Sequence, residues 1–179
     1  MQHPNQTIDY WRNHINGLII EQYWQYLFGE VADFGCGRGF MSAILIEQSN
    51  VKKVVGYDIY DNFINPPKGV TFEVQDLRYI GRRKKFDGAI SFHTLEHIES
   101  PLDAAKKMHY LLKKNSHLVV SIPFMDAYAN KGHVNMFNVE QLQELMEKAG
   151  FETVECYHDQ RVDGYETQHN CVTGLFKKG

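Results

Sequence analysis

The 179-residue sequence predicts an α/β fold of the doubly wound kind, a mainly parallel sheet with helices on both faces. Three observations lead there. Short apolar runs rich in β-branched residues alternate with segments of helical periodicity. The first run, ending Val31-Ala32-Asp33-Phe34, passes at once into Gly35, Gly37 and Gly39 and then into helix-forming residues. Acids stand at the ends of three successive runs, at Asp33, Asp58 and Asp76. Glycine takes positive φ and removes the Cβ that would hold a ligand off the backbone. The open N–H groups at the start of the following helix can then grip a polar ligand. In an open α/β sheet, such a turn at the carboxyl end of the first strand is where nucleotide-like cofactors bind.

Each element follows in order. Ile8, Trp11, Ile15, Leu18, Ile19, Tyr23, Tyr26 and Leu27 recur at helical spacing, which predicts one amphipathic N-terminal helix ended by Gly29. The first strand covers Glu30 to Phe34, and a helix follows from Gly39 to Gln48. Lys53 to Asp58 is the second strand, Pro66, Pro67 and Gly69 mark a turn, and Val70 to Val74 is the third strand. Phe86 to Phe92 is the fourth. Pro101 opens a helix to Leu112. His117 to Ile122 is the fifth strand, stopped by Pro123, and a loop runs from Phe124 to Asn135. Asn138 caps a helix to Ala149, closed by Gly150. Phe151 to Tyr157 and Asn170 to Phe176 form a closing antiparallel pair. With no repeat or linker, residues 1–179 read as one domain: 1–29 a leading helix and candidate lid, 30–179 the cofactor-binding core.

Bulk properties narrow the function. Composition is ordinary globular, with 43% hydrophobic and 23% charged residues. The net charge of −3 gives no electrostatic case for nucleic acid or an anionic membrane. Cys36, Cys156 and Cys171 are scattered and odd in number, as in a reduced cytoplasmic protein. No apolar run is long enough to span a bilayer, and no signal pattern leads the chain, so the Asn5-Gln6-Thr7 glycosylation match reads as chance. Arg82-Arg83-Lys84-Lys85 enters the fourth strand at the amino edge of the sheet and reads as a solvated turn.

The spacing of the acids sharpens the cofactor reading. Asp58, about twenty residues beyond the turn, can accept both ribose hydroxyls. Asp76 is placed to accept from an adenine amino group, or to cap the short turn after it. All three acids lie on the carboxyl edge and can face one ligand. A nicotinamide-dependent oxidoreductase shares this strand, turn and acid, but wants its third glycine where Phe40 stands.

These segments resemble the class I S-adenosylmethionine-dependent methyltransferases, of the compact type similar to ubiquinone-biosynthesis O-methyltransferases. The resemblance runs over about Glu30 to Phe176. It is carried by Asp33-Phe34-Gly35-Cys36-Gly37-Arg38-Gly39, Gly56-Tyr57-Asp58, Val74-Gln75-Asp76-Leu77, Phe86 to His97, and Leu111-Leu112 with Leu118 to Pro123. It implies a seven-stranded Rossmann-like sheet with a final antiparallel pair and S-adenosylmethionine as cofactor. The candidate contacts are Asp33, Gly35, Cys36, Gly37, Asp58, Ile59, Asp76, Leu77, Phe92 and His93, with the glycine turn holding the methionine end.

Methyl transfer from a sulfonium leaves a neutral thioether, so alignment in a dry pocket does most of the work. A hydroxyl nucleophile must also lose its proton, for which histidine suits neutral pH. His93, just past the fourth strand, is the candidate base or orienting group, joined by His97 and His133. With Glu96 these form an H-x-x-E-H…H set. Related enzymes that bind a divalent ion carry Glu where His93 stands, and plain methyltransferases keep Leu-Glu-His without metal, so no metal is assigned. Phe124, Tyr128, Met136 and Phe137 are candidate acceptor contacts. The expected acceptor is a hydroxyl on a small molecule or glycan. A catalytically silent cofactor-binding partner subunit is the alternative, and the aromatic first helix is a candidate homodimer face.

Overall fold

The computed structural model describes residues 7–81, 85–125 and 132–179. Asn5 and Gln6, Arg82 to Lys84, Tyr128 and Lys131 lie outside them. Seven strands form one sheet: β1 (Gly29–Phe34), β2 (Val51–Asp58), β3 (Val70–Val74), β4 (Phe86–Phe92), β5 (Leu112–Pro123), β6 (Phe151–Asp159) and β7 (Cys171–Lys178), in the order β3-β2-β1-β4-β5-β7-β6. The first five pair in parallel, and β7 runs antiparallel to both β5 and β6. The predicted mixed sheet with its antiparallel close is therefore present. The order reverses between β1 and β4, with Asp33 in register with Gly56 on one side and Ile90 on the other. A crevice outside the carboxyl ends of the strands opens at such a reversal.

Strand alternation sends successive side chains to opposite faces. Val31, Val54, Ile90 and Val119 meet Ile15, Ile19, Ile20 and Ile44 from α2 (Ile15–Tyr23) and α3 (Phe40–Leu45). Ala32, Val55, Ala89 and Leu118 meet Ala104, Met108, Leu142 and Met146 from α4 (Pro101–Leu111) and α5 (Val139–Lys148). These two apolar layers clamp the sheet, so the strand ends are rigid supports. The Asn138–Gln141 capping box starts α5 where the sequence places it.

The N-terminal segment differs from one continuous helix. It breaks at His14, whose backbone is extended (φ −71°, ψ 158°), between α1 (Ile8–Asn13) and α2. The His14 amide closes α1 by donating to the Tyr10 carbonyl, and its Nδ1 accepts from the Asn16 amide. Gly17 makes the fold-back feasible, because a Cβ there would run into the Trp11 and Arg12 carbonyls. Apolar spacing continues unbroken through this kink, so periodicity alone does not reveal it. Gly29 does not cap a helix. It opens β1, donating to the Asn50 carbonyl at 2.8 Å, after a 3-10 turn at Trp24–Tyr26. No helix joins β2 to β3. The stretch 59–69 is strapped down by the Ile64 amide on the Arg38 carbonyl (2.9 Å) and by Phe63 stacked on Phe72.

Gly39 precedes α3 in the left-handed region (φ 88°), and a Cβ there would collide with the Phe72 ring. Gly39→Ala is expected to lower unfolding stability by about 1–3 kcal/mol, through backbone strain and overpacking. Urea titration measures it, and an unchanged midpoint contradicts it.

Candidate active site

The glycine turn is held from beneath by the end of β2. The Gly35 and Cys36 amides both donate to the Tyr57 carbonyl, at 2.9 and 3.0 Å. The Gly37 amide donates to Asp58 Oδ2 at 2.8 Å. These N–H groups are therefore engaged within the protein. What the turn leaves open is space. A Cβ on Gly37 (φ 53°) would meet no atom within 4 Å, whereas one on Gly35 (φ 76°) would strike Thr94.

Two cavities flank this turn. The first, about 690 Å³, is lined by Trp11, Asp33, Cys36, Phe40, Phe92 and His133 among others. The second, about 640 Å³, is lined by Asp58, Ile59, Tyr60, Asp76, Leu77 and Thr94 among others. Gly35, Gly37, His93 and His97 line both. All ten candidate cofactor contacts thus border one or both cavities. The three acids are divided, however, with Asp33 on one side of the turn and Asp58 and Asp76 on the other.

Each acid has its own environment. Asp58 Oδ1 accepts from the Tyr60 amide at 3.1 Å while Oδ2 holds Gly37. Asp76 caps the 3-10 turn at Leu77–Tyr79, accepting from the Arg78 amide, and pairs with the Arg78 guanidinium at 2.7 Å. That hydrogen-bonded guanidinium holds its carboxyl below the usual range. Asp33 is buried, with Ser42 Oγ donating to Oδ2 at 2.7 Å. Burial pushes its pKa up to about 7, against the Ser42 hydrogen bond and with the added repulsion of Asp58. Burial also pushes the Cys36 thiol up, so it stands in the first cavity as a neutral wall.

The histidines predicted from the sequence do meet. His93 sits in left-handed backbone (φ 49°), its amide on the Ser121 carbonyl at 2.8 Å. Glu96 is 2% exposed, and neither carboxylate oxygen has a hydrogen-bond partner among the described residues. His93 Nδ1 lies 3.6 Å and His97 Nε2 3.8 Å from Glu96 Oε1. His97 Nδ1 is fixed by the Gly132 carbonyl at 2.9 Å, and the His133 ring meets His97 edge-on. The Val134 and Asn135 amides donate to the Glu96 carbonyl, docking this segment against the 95–97 turn. Burial opposes protonation of His93, but the adjacent Cys171 sulfur and Glu96 carboxylate outweigh it and raise the pKa to about 9. Ligand atoms of Glu96, His97 and His133 lie within 4.8 Å of one another. That donor set has the chemistry to hold a borderline divalent ion, with Gly132 orienting His97 behind it.

A second group was missed in the sequence: His14 and His169 line the first cavity, with Asp163 beside them. His169 Nε2 lies 2.7 Å from Asp163 Oδ2, and the His14 ring packs edge-on against His169. Burial and the neighbouring His169 push the His14 pKa down to about 4. The loop carrying Asp163 and His169 also grips the N-terminal segment, with Gly164 bonded to the Asn13 carbonyl (3.0 Å) and Tyr165 stacked on Tyr10. The only local signal is the Asp163-Gly164 turn pair. Phe124, Met136 and Phe137 line neither cavity. Phe124 stacks on His158, Phe137 belongs to the α5-side core, and Met136 is exposed.

The crevice, the turn and the acids define a nucleotide-type cofactor site of the S-adenosylmethionine-dependent class I methyltransferases. A family profile described as a methyltransferase domain matches residues 11–156, and the chain belongs to that family. No curated protein matches the chain in sequence. Among solved structures it is similar to Burkholderia thailandensis 1,6-didemethyltoxoflavin-N1-methyltransferase with bound 1,6-didemethyltoxoflavin and S-adenosylhomocysteine (20% identity, TM-score 0.72, covering 95% of this chain and 81% of that one). The N-methyltransferase NodS of Bradyrhizobium japonicum, in complex with S-adenosylhomocysteine, is similar at 17% identity and TM-score 0.72, over 97% and 93% of the two chains. So is the [4+2]-cyclase SpnF, at 15% identity and TM-score 0.75, over 92% and 79%. No described helix is long and apolar enough to cross a membrane.

The Asp33 environment gives a pH signature. Its folded pKa is raised, so its contribution to stability is complete below pH 3.8, the unfolded value, and is lost as pH rises towards 7. Asp33→Asn lacks that loss. The stability of the variant relative to the parent is expected to climb across this window, by about 1.4 kcal/mol for each pH unit crossed, and to level off above it. Urea unfolding at several pH values measures it, and a flat difference contradicts it.

Proposed function

We propose that this protein transfers the methyl group of S-adenosylmethionine to a hydroxyl of a small molecule or glycan. One observation carries the division of labour: two cavities share Gly35, Gly37, His93 and His97 as lining residues. The second takes the adenosine half, and the first takes the methionine end and the acceptor. When bound, S-adenosylmethionine supplies an electrophilic methyl on a positively charged sulfur.

The residues present fit that cofactor. Asp58 keeps lone pairs beyond its bonds to Gly37 and Tyr60, and these accept the ribose hydroxyls. Asp76, Leu77 and Ile59 border the adenine, with the Leu77 amide helping to read it. The open face of Gly37, with Asp33, Gly35 and Cys36, accommodates the methionine end. Phe92, Phe40 and Trp11 present aromatic faces that steady a sulfonium and exclude water. His93 stands where the cavities join. Of its two roles, base or orienting group, Glu96 at 3.6 Å from Nδ1 favours orienting, because the carboxylate keeps that nitrogen's proton in place. His97 and His133 complete the rim of the acceptor side. Trp11, His14 and Asn16 of the leading segment act within the same domain, as the roof of the acceptor cavity.

Asp58→Ala is expected to weaken S-adenosylhomocysteine binding about tenfold to hundredfold, as loss of hydrogen bonds to a charged group implies. Calorimetric titration measures it, and unchanged affinity removes Asp58 from the site. His93→Asn is expected to cut turnover on a hydroxyl acceptor at least about tenfold while moving S-adenosylhomocysteine affinity far less. Equal losses in both would make His93 a cofactor-binding group instead.

A further inference from the structure

We propose that Asp163 and His169 form a proton-accepting pair for the methyl acceptor, with His169 Nδ1 as the atom that takes the proton and Asp163 as the residue that positions it. The inference rests on the hydroxyl-acceptor reading above, and extends it to residues outside the glycine turn and the Leu95-Glu96-His97 segment.

His169 is almost fully buried yet lines the first cavity, the one with the aromatic faces and His93. Its ring is held by one side chain, Asp163, whose Oδ2 is 2.7 Å from Nε2. A carboxylate accepts only, so Nε2 carries the hydrogen, and in the neutral ring Nδ1 is left with its lone pair. Nδ1 makes no hydrogen bond among the described residues. Asp163 cannot swing away, because Oδ1 accepts from the Tyr165 amide at 2.8 Å and the Thr167 amide at 3.0 Å. The loop closes on itself through the Asp163 amide on the Thr167 carbonyl and the His169 amide on the Arg161 carbonyl. The His14 ring walls the other side, its own Nδ1 occupied by the Asn16 amide. An imidazole fixed in one tautomer by a buried carboxylate, with its second nitrogen free at a cavity, is the arrangement that general-base chemistry requires.

The step balances. As the acceptor oxygen bonds to the methyl carbon, its proton passes to His169 Nδ1. The carbon–sulfur bonding pair stays on the sulfur, which becomes neutral. The imidazolium formed is stabilised by the Asp163 carboxylate and later returns the proton to water.

The test uses the full chain, labelled with nitrogen-15 and loaded with S-adenosylhomocysteine, in mildly alkaline buffer. Long-range proton–nitrogen spectra are expected to show His169 with its hydrogen on Nε2 and a bare Nδ1. Adding catechol as the hydroxyl probe should shift the Nδ1 resonance. In Asp163→Asn the two amides retain the side-chain oxygen, so the NH2 faces Nε2 and forces the hydrogen onto Nδ1. The variant should therefore show the opposite tautomer and lose the catechol response, with S-adenosylhomocysteine affinity within about twofold of the parent. A hydrogen on Nδ1 in the parent protein, or a resonance unmoved by saturating catechol, overturns the proposal. These spectra decide the matter even where the variant does not fold. Methylation of amines alone, beside a responsive Nδ1, would refute the hydroxyl reading and leave the pair standing.

Discussion

The carboxyl end of β2 is the point on which the site depends. One carbonyl, on Tyr57, receives two amides of the glycine turn, and the next residue's carboxylate receives a third. A turn with positive φ at Gly35 and Gly37 would otherwise be the loosest part of the chain. Tied this way, it is a fixed wall between two cavities, and its glycines serve shape more than hydrogen bonding. Tyr57 is itself immobile, buried against Phe34 and Phe86. Packing of the α4 and α5 face of the sheet thus sets the position of the cofactor wall.

Electrostatics around the first cavity follows from how each buried carboxylate is satisfied. Asp33 has a single hydroxyl donor and a raised pKa. Asp163 has two amides and an imidazole, and is held below the usual carboxylate range despite its burial. Glu96 has neither, only histidine rings at the edge of contact. Asp33 and Asp163 are both buried yet shift in opposite directions, because burial prevails at Asp33 and the hydrogen-bond donors prevail at Asp163. Five of the nine histidines of the chain line this same cavity, which makes it a place built for handling protons or cations rather than a merely apolar hole.

Much of this was legible in the sequence because strands and turns announce themselves locally. The runs ending at Phe34, Asp58, Val74 and Phe92 fall on β1 to β4, since β-branched alternation and glycine or proline punctuation are short-range signals. That the candidate cofactor contacts border the two cavities was legible for the same reason, since they lie at or near strand ends. The kink at His14 was not, because a helical apolar pattern persists through it and the cause lies in backbone contact at Gly17. Asp163 and His169 were not legible either. They sit in the loop between β6 and β7 and reach the crevice only because β7 turns back antiparallel beside β5. Asp76 shows the limit from the other side, since a strand-end acid can cap a turn and border a cavity at once.

The partition at Gly35 and Gly37 has a consequence for traffic. The half-chamber proposed for the nucleoside is bordered by the strap after β2, with Ile59 and Tyr60 exposed. The other half-chamber lies beneath α1, latched by Tyr165 and Gly164. On the proposed reading the spent thioether straddles this turn while the finished product lies wholly on the α1 side, so release of the thioether must clear both half-chambers and release of the product only one.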